Sequence, residues 1–230
     1  MTRPRAPIAV ALDTSDLGVA TGWATAVAST VRAVKVGLQL FCHDGPGAVE
    51  KIKAAADVEL FLDLKLHDIP ATVSGAARSL APLAPDYLTV HAAAGAAAID
   101  AAARALPQTR IAGVTILTSL SAEDLDLLGI IGPPEDAVRR LARVAVDAGA
   151  RALVCSPQEV AAVRAEVGPD ITLITPGVRP AGADAQDQSR ISTPERALAA
   201  GADLLVIGRP ITGADDVGQA AVDLAAQLPT

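Results

Sequence analysis

Residues 61–70 read FLDLKLHDIP. The stretch opens as a buried strand, yet it carries Asp63, Lys65 and Asp68 within six residues. Charges inside a core are costly unless they are paired or used. The economical solution is a strand whose first half is buried and whose charged half emerges at one open end. Pro70 then marks a turn, and a helical run follows near 71–81. The stretch is therefore half of a strand–helix unit with polar chemistry at the strand's exit.

Working outward, the same unit recurs along the chain. Apolar runs at 8–12, 34–38, 58–64, 87–91, 111–117, 152–155, 171–175 and 203–208 read as eight strands. Alanine-rich helical runs follow them near 15–31, 45–56, 71–81, 95–105, 134–148, 157–167, 193–200 and 214–227. Most strand cores are continuous rather than alternating, as expected of strands covered on both faces in a parallel sheet. Eight such units in 230 residues fit a (β/α)₈ barrel, the TIM-barrel α/β class. A doubly wound open sheet is the alternative, and the lack of GxGxxG after the first strand weakens it. No linker or close repeat divides the chain, so residues 1–230 read as a single domain.

Composition narrows the function classes. Hydrophobic residues make up 51%, enough for a large core, while aromatics at 2% leave that core to Ala, Val, Leu and Ile. A net charge of −7 with no basic stripe argues against a nucleic-acid partner or an anionic membrane. No uncharged apolar segment is long enough to span a bilayer, and Asp13 interrupts the first apolar run too early for a signal peptide. Cys42 and Cys155 stand apart without a CxxC partner. These features predict a cytoplasmic protein with plain thiols.

In a barrel of this kind the chemistry gathers at the C-terminal ends of the strands. Asp13 follows the first strand, Lys35 lies in the second, and Asp63 and Lys65 end the third. A spacing of two in an extended strand points Asp63 and Lys65 to one side. A lone pair of this sort is more often a solvated salt bridge than a catalytic pair, and Asp13, Thr14 or Ser15 is able to cap the first helix. Convergence of four charges at one end of adjacent strands favours a functional array. Lysine is scarce, four against 15 arginines, so a lysine at a strand end points to a cation that also surrenders a proton. Thr118 and Ser119 follow the fifth strand, Pro176 the seventh, and Gly208 and Arg209 the eighth. The loops after strands seven and eight form the common phosphate site of barrels, and Arg179 adds a second guanidinium. The polar loop 176–192, which includes Gln188, is the natural lid. His43, His67 and His91 lack the HxH or HExxH spacing of a metal site.

DLKLHDIP, with VALD before it and VTILTS, ITPGVRP, DQSR and VIGRPIT after it, resembles the orotidine 5′-phosphate decarboxylase family in its bacterial form. The landmarks run in the family's order from about residue 8 to 213. DxKxxD alone is shared with related phosphosugar decarboxylases and aldolases; the whole set is far more specific. The resemblance implies a (β/α)₈ barrel that converts orotidine 5′-monophosphate to UMP and CO₂, the last step of de novo pyrimidine synthesis, without metal or organic cofactor. It implies that Lys65 protonates C6, with Asp63, Lys35 and Asp68 completing an alternating charge array. Asp13 and Lys35 would hold ribose hydroxyls, and Thr118 and Ser119 would lie near the pyrimidine. Pro176, Arg179, Gln188, Gly208 and Arg209 would form the phosphate side. The family's site is shared across a homodimer, so Asp68, Ile69 and Thr72 would serve the partner subunit. The family's usual DIPNT reads DIPAT here: Ala71 replaces an asparagine, while Thr72 is kept. The runner-up is a magnesium-dependent relative acting on a keto-sugar phosphate. Such relatives carry an acidic metal ligand where this chain has Lys35, whose charge would repel a divalent cation.

Overall fold

The computed structural model describes residues 5–130, 132–179 and 192–229. Eight parallel strands close into a barrel in sequence order: β1 (Ala6–Ala11), β2 (Val31–Gly37), β3 (Glu59–Leu66), β4 (Tyr87–His91), β5 (Arg110–Val114), β6 (Ala152–Val154), β7 (Thr172–Thr175) and β8 (Leu204–Ile207). The last strand closes on the first through Val10 opposite Ile207. All eight strands expected from the apolar runs are present.

The helices are α1 (Leu17–Val27), α2 (Leu38–Asp44), α3 (Pro46–Ala55), α4 (Pro70–Leu80), α5 (Ala96–Ala105), α6 (Ala122–Leu127), α7 (Pro134–Asp147), α8 (Val160–Val167), α9 (Pro194–Ala199), α10 (Arg209–Thr212) and α11 (Val217–Ala226). Three short ones, α2, α6 and α10, fall where sequence periodicity is too brief to register. The cap of α1 is Asp16, which accepts the Val19 amide at 3.0 Å. Asp13, Thr14 and Ser15, the expected candidates, do not take that role, so Asp13 is released for the barrel mouth.

Two apolar layers hold the molecule. The outer one lies between strands and helices. Pro134 starts α7 within its rigid φ range, Glu135 and Asp136 complement the helix dipole, and Ala137, Val138, Ala142 and Ala145 form its buried stripe. Contact with β5 is tight: a Cβ added to Gly113 would meet the Ala145 Cβ at 2.6 Å.

The inner layer fills the barrel with Ala9, Ala11, Ala33, Phe61, Tyr87, Ala112, Ala152, Ile174, Leu204 and Val206. Small residues dominate it, so two aromatics supply bulk: Phe61 and Tyr87 meet edge to face with centroids 5.7 Å apart. This layer also orients the site. Ala33 and Phe61 face inward, so the pleat turns Lys35 and Asp63, two residues further on, inward as well. Tyr87 does the same for Thr89 on β4.

Candidate active site

A cavity of about 610 Å³ opens at the C-terminal mouth of the barrel. On the β1–β3 side it is lined by Asp13, Lys35, Asp63 and Lys65. Thr118 and Ser119 line it from the turn after β5, and Pro176, Arg179, Gly208 and Arg209 from the ends of β7 and β8. The residues picked out from strand ends thus converge on one chamber, because parallel strands in a closed barrel all deliver their C-terminal ends to the same rim.

The charges form an alternating chain. Lys35 Nζ lies 3.2 Å from Asp13 Oδ1 and 3.4 Å from Asp63 Oδ2. Lys65 Nζ donates to Asp63 Oδ1 at 2.8 Å. Lys35 is buried, its side chain only 8% exposed, and that of Lys65 is 30% exposed. Burial works against an ionised Asp63, but Lys35 and Lys65 outweigh it, joined by hydrogen bonds from Lys65 and Thr89. The carboxyl is therefore held below its usual value of 3.8. An ammonium beside a fixed carboxylate, with access to a chamber, is a proton donor of fixed position.

The backbone that delivers Lys65 differs from the expected extended strand. Lys65 has φ 49°, in the left-handed region, which costs a side-chain-bearing residue roughly 1–2 kcal/mol. Between Leu62 and Leu66, β3 spends four residues where β4 spends two, from Leu88 to Val90. A bulge of this kind re-aims side chains at a sheet's rim. The spacing of two does bring Asp63 and Lys65 together, but through the bulge rather than the pleat.

Sequence reading missed Thr89. Its side chain is completely buried, its hydroxyl accepts the Lys65 amide at 2.8 Å, and it donates to Asp63 Oδ1 at 3.1 Å. A threonine in a β-rich run carries no mark of such a task; only the closed barrel sets β4 beside the bulge. Gly37 was missed as well. A Cβ there would stand 2.9 Å from Lys35 Nζ and 3.1 Å from Asp13 Oδ1. Gln39 and Thr212 also line the chamber.

At Gly208 an added Cβ would meet nothing closer than Ala11 Cβ at 3.6 Å. The protein itself leaves this position open, and the chamber lies beside it. The neck of the loop after β7 is tied: Arg179 N donates to Ser192 O at 3.0 Å and Ser192 N to Gly177 O at 3.3 Å. Gln188, and most of the loop expected to act as a lid, lie outside the described residues.

Asp68, Ile69 and Thr72 do not line this chamber. All three are exposed, Ile69 at 66%, along the turn from β3 into α4. Asp68 Oδ1 accepts the Ile69 amide at 2.7 Å. His67 and His91 pack against each other with ring centroids 5.0 Å apart. Burial, then the neighbouring His67 and Lys65, hold His91 below its ordinary value. Among the described residues no group of three or more His, Cys, Asp or Glu side chains gathers as a metal site, and no helix is long and apolar enough to cross a membrane.

A (β/α)₈ barrel with an alternating acid–ammonium chain at its mouth, and arginines on the β7–β8 side, defines the class of barrel proteins equipped to hold a small anionic ligand beside a proton donor. The sequence makes that class specific: the chain belongs to the family described as orotidine 5′-phosphate decarboxylase / HUMPS, matching it over residues 6–224. It is 66% identical over 223 residues to the orotidine 5′-phosphate decarboxylase of Thermobifida fusca, covering 97% of this chain and 96% of that one. Identity to the enzyme of the same name from Anaeromyxobacter sp. strain K is 55% over 229 residues, with 98% and 100% covered. The crystal structure of orotidine 5′-phosphate decarboxylase from Lactobacillus acidophilus superposes with a TM-score of 0.85 at 32% identity, covering 98% of this chain and all of that one.

Proposed function

We infer that this chain decarboxylates orotidine 5′-monophosphate to UMP and CO₂, completing de novo pyrimidine synthesis. The relatives' shared name supports the reaction, and the alternating chain from Asp13 to Lys65 is the structural observation that carries it. Breaking the C6–carboxylate bond leaves its electron pair on C6, a carbanion without a delocalising sink. The Lys65 ammonium stabilises that charge and then gives its proton to C6. Arginine would supply the charge but not the proton. Asp63, held ionised, aims the Lys65 amine.

Asp13 and Lys35 are suited to ribose hydroxyls, Thr118 and Ser119 to the pyrimidine, and Arg179, Gly208 and Arg209 to phosphate, with Pro176 shaping that side and Gln188 reaching in from the loop. Grip on the phosphate, remote from C6, provides binding energy for orienting the base. No organic cofactor or metal ion enters these steps. Lys35 fills the space between Asp13 and Asp63 that a cation of the keto-sugar-phosphate relatives would need.

Asp68, Ile69 and Thr72 are assigned to the site of a partner subunit in a homodimer working in the cytoplasm. An exposed apolar Ile69 beside the barrel mouth supports that role. Mixing Lys65→Ala chains with Asp68→Ala chains tests it. Shared sites leave one intact site per mixed dimer and restore activity; self-contained sites restore none. For the reaction itself, the orotidylate ultraviolet absorbance is followed after adding protein. Loss of absorbance that persists in EDTA is expected, whereas metal-dependent turnover of a keto-sugar phosphate in its place overturns the reading.

A further inference from the structure

One buried hydroxyl, that of Thr89, touches two parts of the site. Thr89 sits below the chamber, wholly buried on the inner face of β4. Its oxygen accepts the Lys65 amide and its proton goes to Asp63 Oδ1. Asp63 Oδ1 is the same atom that holds Lys65 Nζ. One hydroxyl thereby fixes both ends of the Asp63–Lys65 pair: the backbone of the lysine and the carboxylate that receives its ammonium.

The left-handed backbone at Lys65 explains why such a fixture is needed. The residue sits in a bulge, off the regular ladder, with φ 49°. Left alone, the segment would relax towards an extended geometry and carry the amine away from its aim. We propose that Thr89 is a positioning residue: its hydroxyl locks the strained β3 bulge and orients Asp63, so that the Lys65 ammonium is held at the reacting carbon. This rests on the decarboxylase reading for its consequence but not for its geometry.

The groups facing Asp63 are Lys35 from β2, with Asp13 beyond it, Lys65 from β3 itself and His91 from β4. Thr89 is the neutral donor among them. Losing it removes a hydrogen bond to the ionised form, so Asp63 must titrate at higher pH.

The test compares Thr89→Val, which keeps the shape, with Thr89→Ser, which keeps the hydroxyl. In Thr89→Val we expect kcat to fall on the order of tenfold to a hundredfold, as misplacement by a fraction of an ångström to an ångström does. KM should change much less, and the acid limb of the kcat/KM profile should move to higher pH. Thr89→Ser should recover most of kcat and the original limb. Carbon NMR of the Asp63 carboxyl, with Asp63→Asn for assignment, reads the same shift without substrate. The proposal is overturned if Thr89→Val keeps both kcat and the Asp63 titration, or if the serine variant fares no better than valine. Should valine not fold, the wild type still decides, since its Lys65 amide resonance must follow the Asp63 titration; an indifferent amide ends the idea. A wild type that leaves orotidylate untouched but shows the linked titration defeats the reaction assignment alone.

Discussion

The empty side of Gly37 is the space in which the Lys35 ammonium sits: a Cβ there would lie 2.9 Å from Nζ. The backbone at Gly37 has φ −97°, open to any residue. A side chain at this position would crowd the neighbouring charge rather than strain the turn. Lys35 is pinned between Asp13 and Asp63 and has little room to yield.

Gly37→Ala should accordingly leave the fold intact and harm the site. We expect kcat/KM to drop about tenfold, the scale of a small misplacement at a reacting centre, with Tm within a few degrees of wild type. Full activity in this variant would show that Lys35 moves aside freely.

Lys65→Arg separates charge from proton donation. A guanidinium preserves attraction to Asp63 but does not release a proton. The rate of orotidylate absorbance loss should fall by at least about a hundredfold, the usual worth of a general acid. A rate near wild type would place the proton donor elsewhere.

Acid should reveal Asp63. Its carboxyl titrates lower in the folded protein than in the unfolded chain, whose value is near 3.8. The unfolded state thus binds the proton first as pH falls. The stabilisation is complete above the unfolded value and is lost as pH drops through the lower, folded one. Asp63→Asn leaves the buried Lys35 short of a counter-charge, so at pH 7 it should be less stable by about 3 kcal/mol, the lower end for a broken buried pair. In urea titrations the gap to wild type should narrow on going from pH 7 to below 3.8. A gap that stays constant across that range would contradict the assignment.

Gly113→Ala probes the layer outside the barrel. The new methyl would overlap Ala145 of α7 at 2.6 Å, and neither backbone is able to withdraw without loss of packing. Overpacking of this sort costs about 1–3 kcal/mol. Differential scanning calorimetry should show a Tm lower by several degrees, with turnover at 25 °C nearly unchanged.

The amino-acid sequence by itself determined a great deal. Continuous apolar runs such as those around Val36, Leu62 and Leu205 fix eight strands because doubly covered strands tolerate no polar face. Charges placed where those runs end, at Asp13, Lys35, Asp63 and Arg209, mark the functional rim, because a barrel gathers its strand ends in one place. Short helices such as α2 and α10 escaped notice, since fewer than two or three turns leave no period to read. Tertiary structure alone decided how the pair Asp63 and Lys65 is held. Pleat spacing proposed an extended strand, whereas the closed barrel brings Thr89 of β4 against β3 and sustains a left-handed lysine there. It also set Gly37 against the Lys35 ammonium and left Asp68, Ile69 and Thr72 out of the lining of their own chamber. These are relations between strands remote in sequence. They follow from closure and register, which local propensity does not encode.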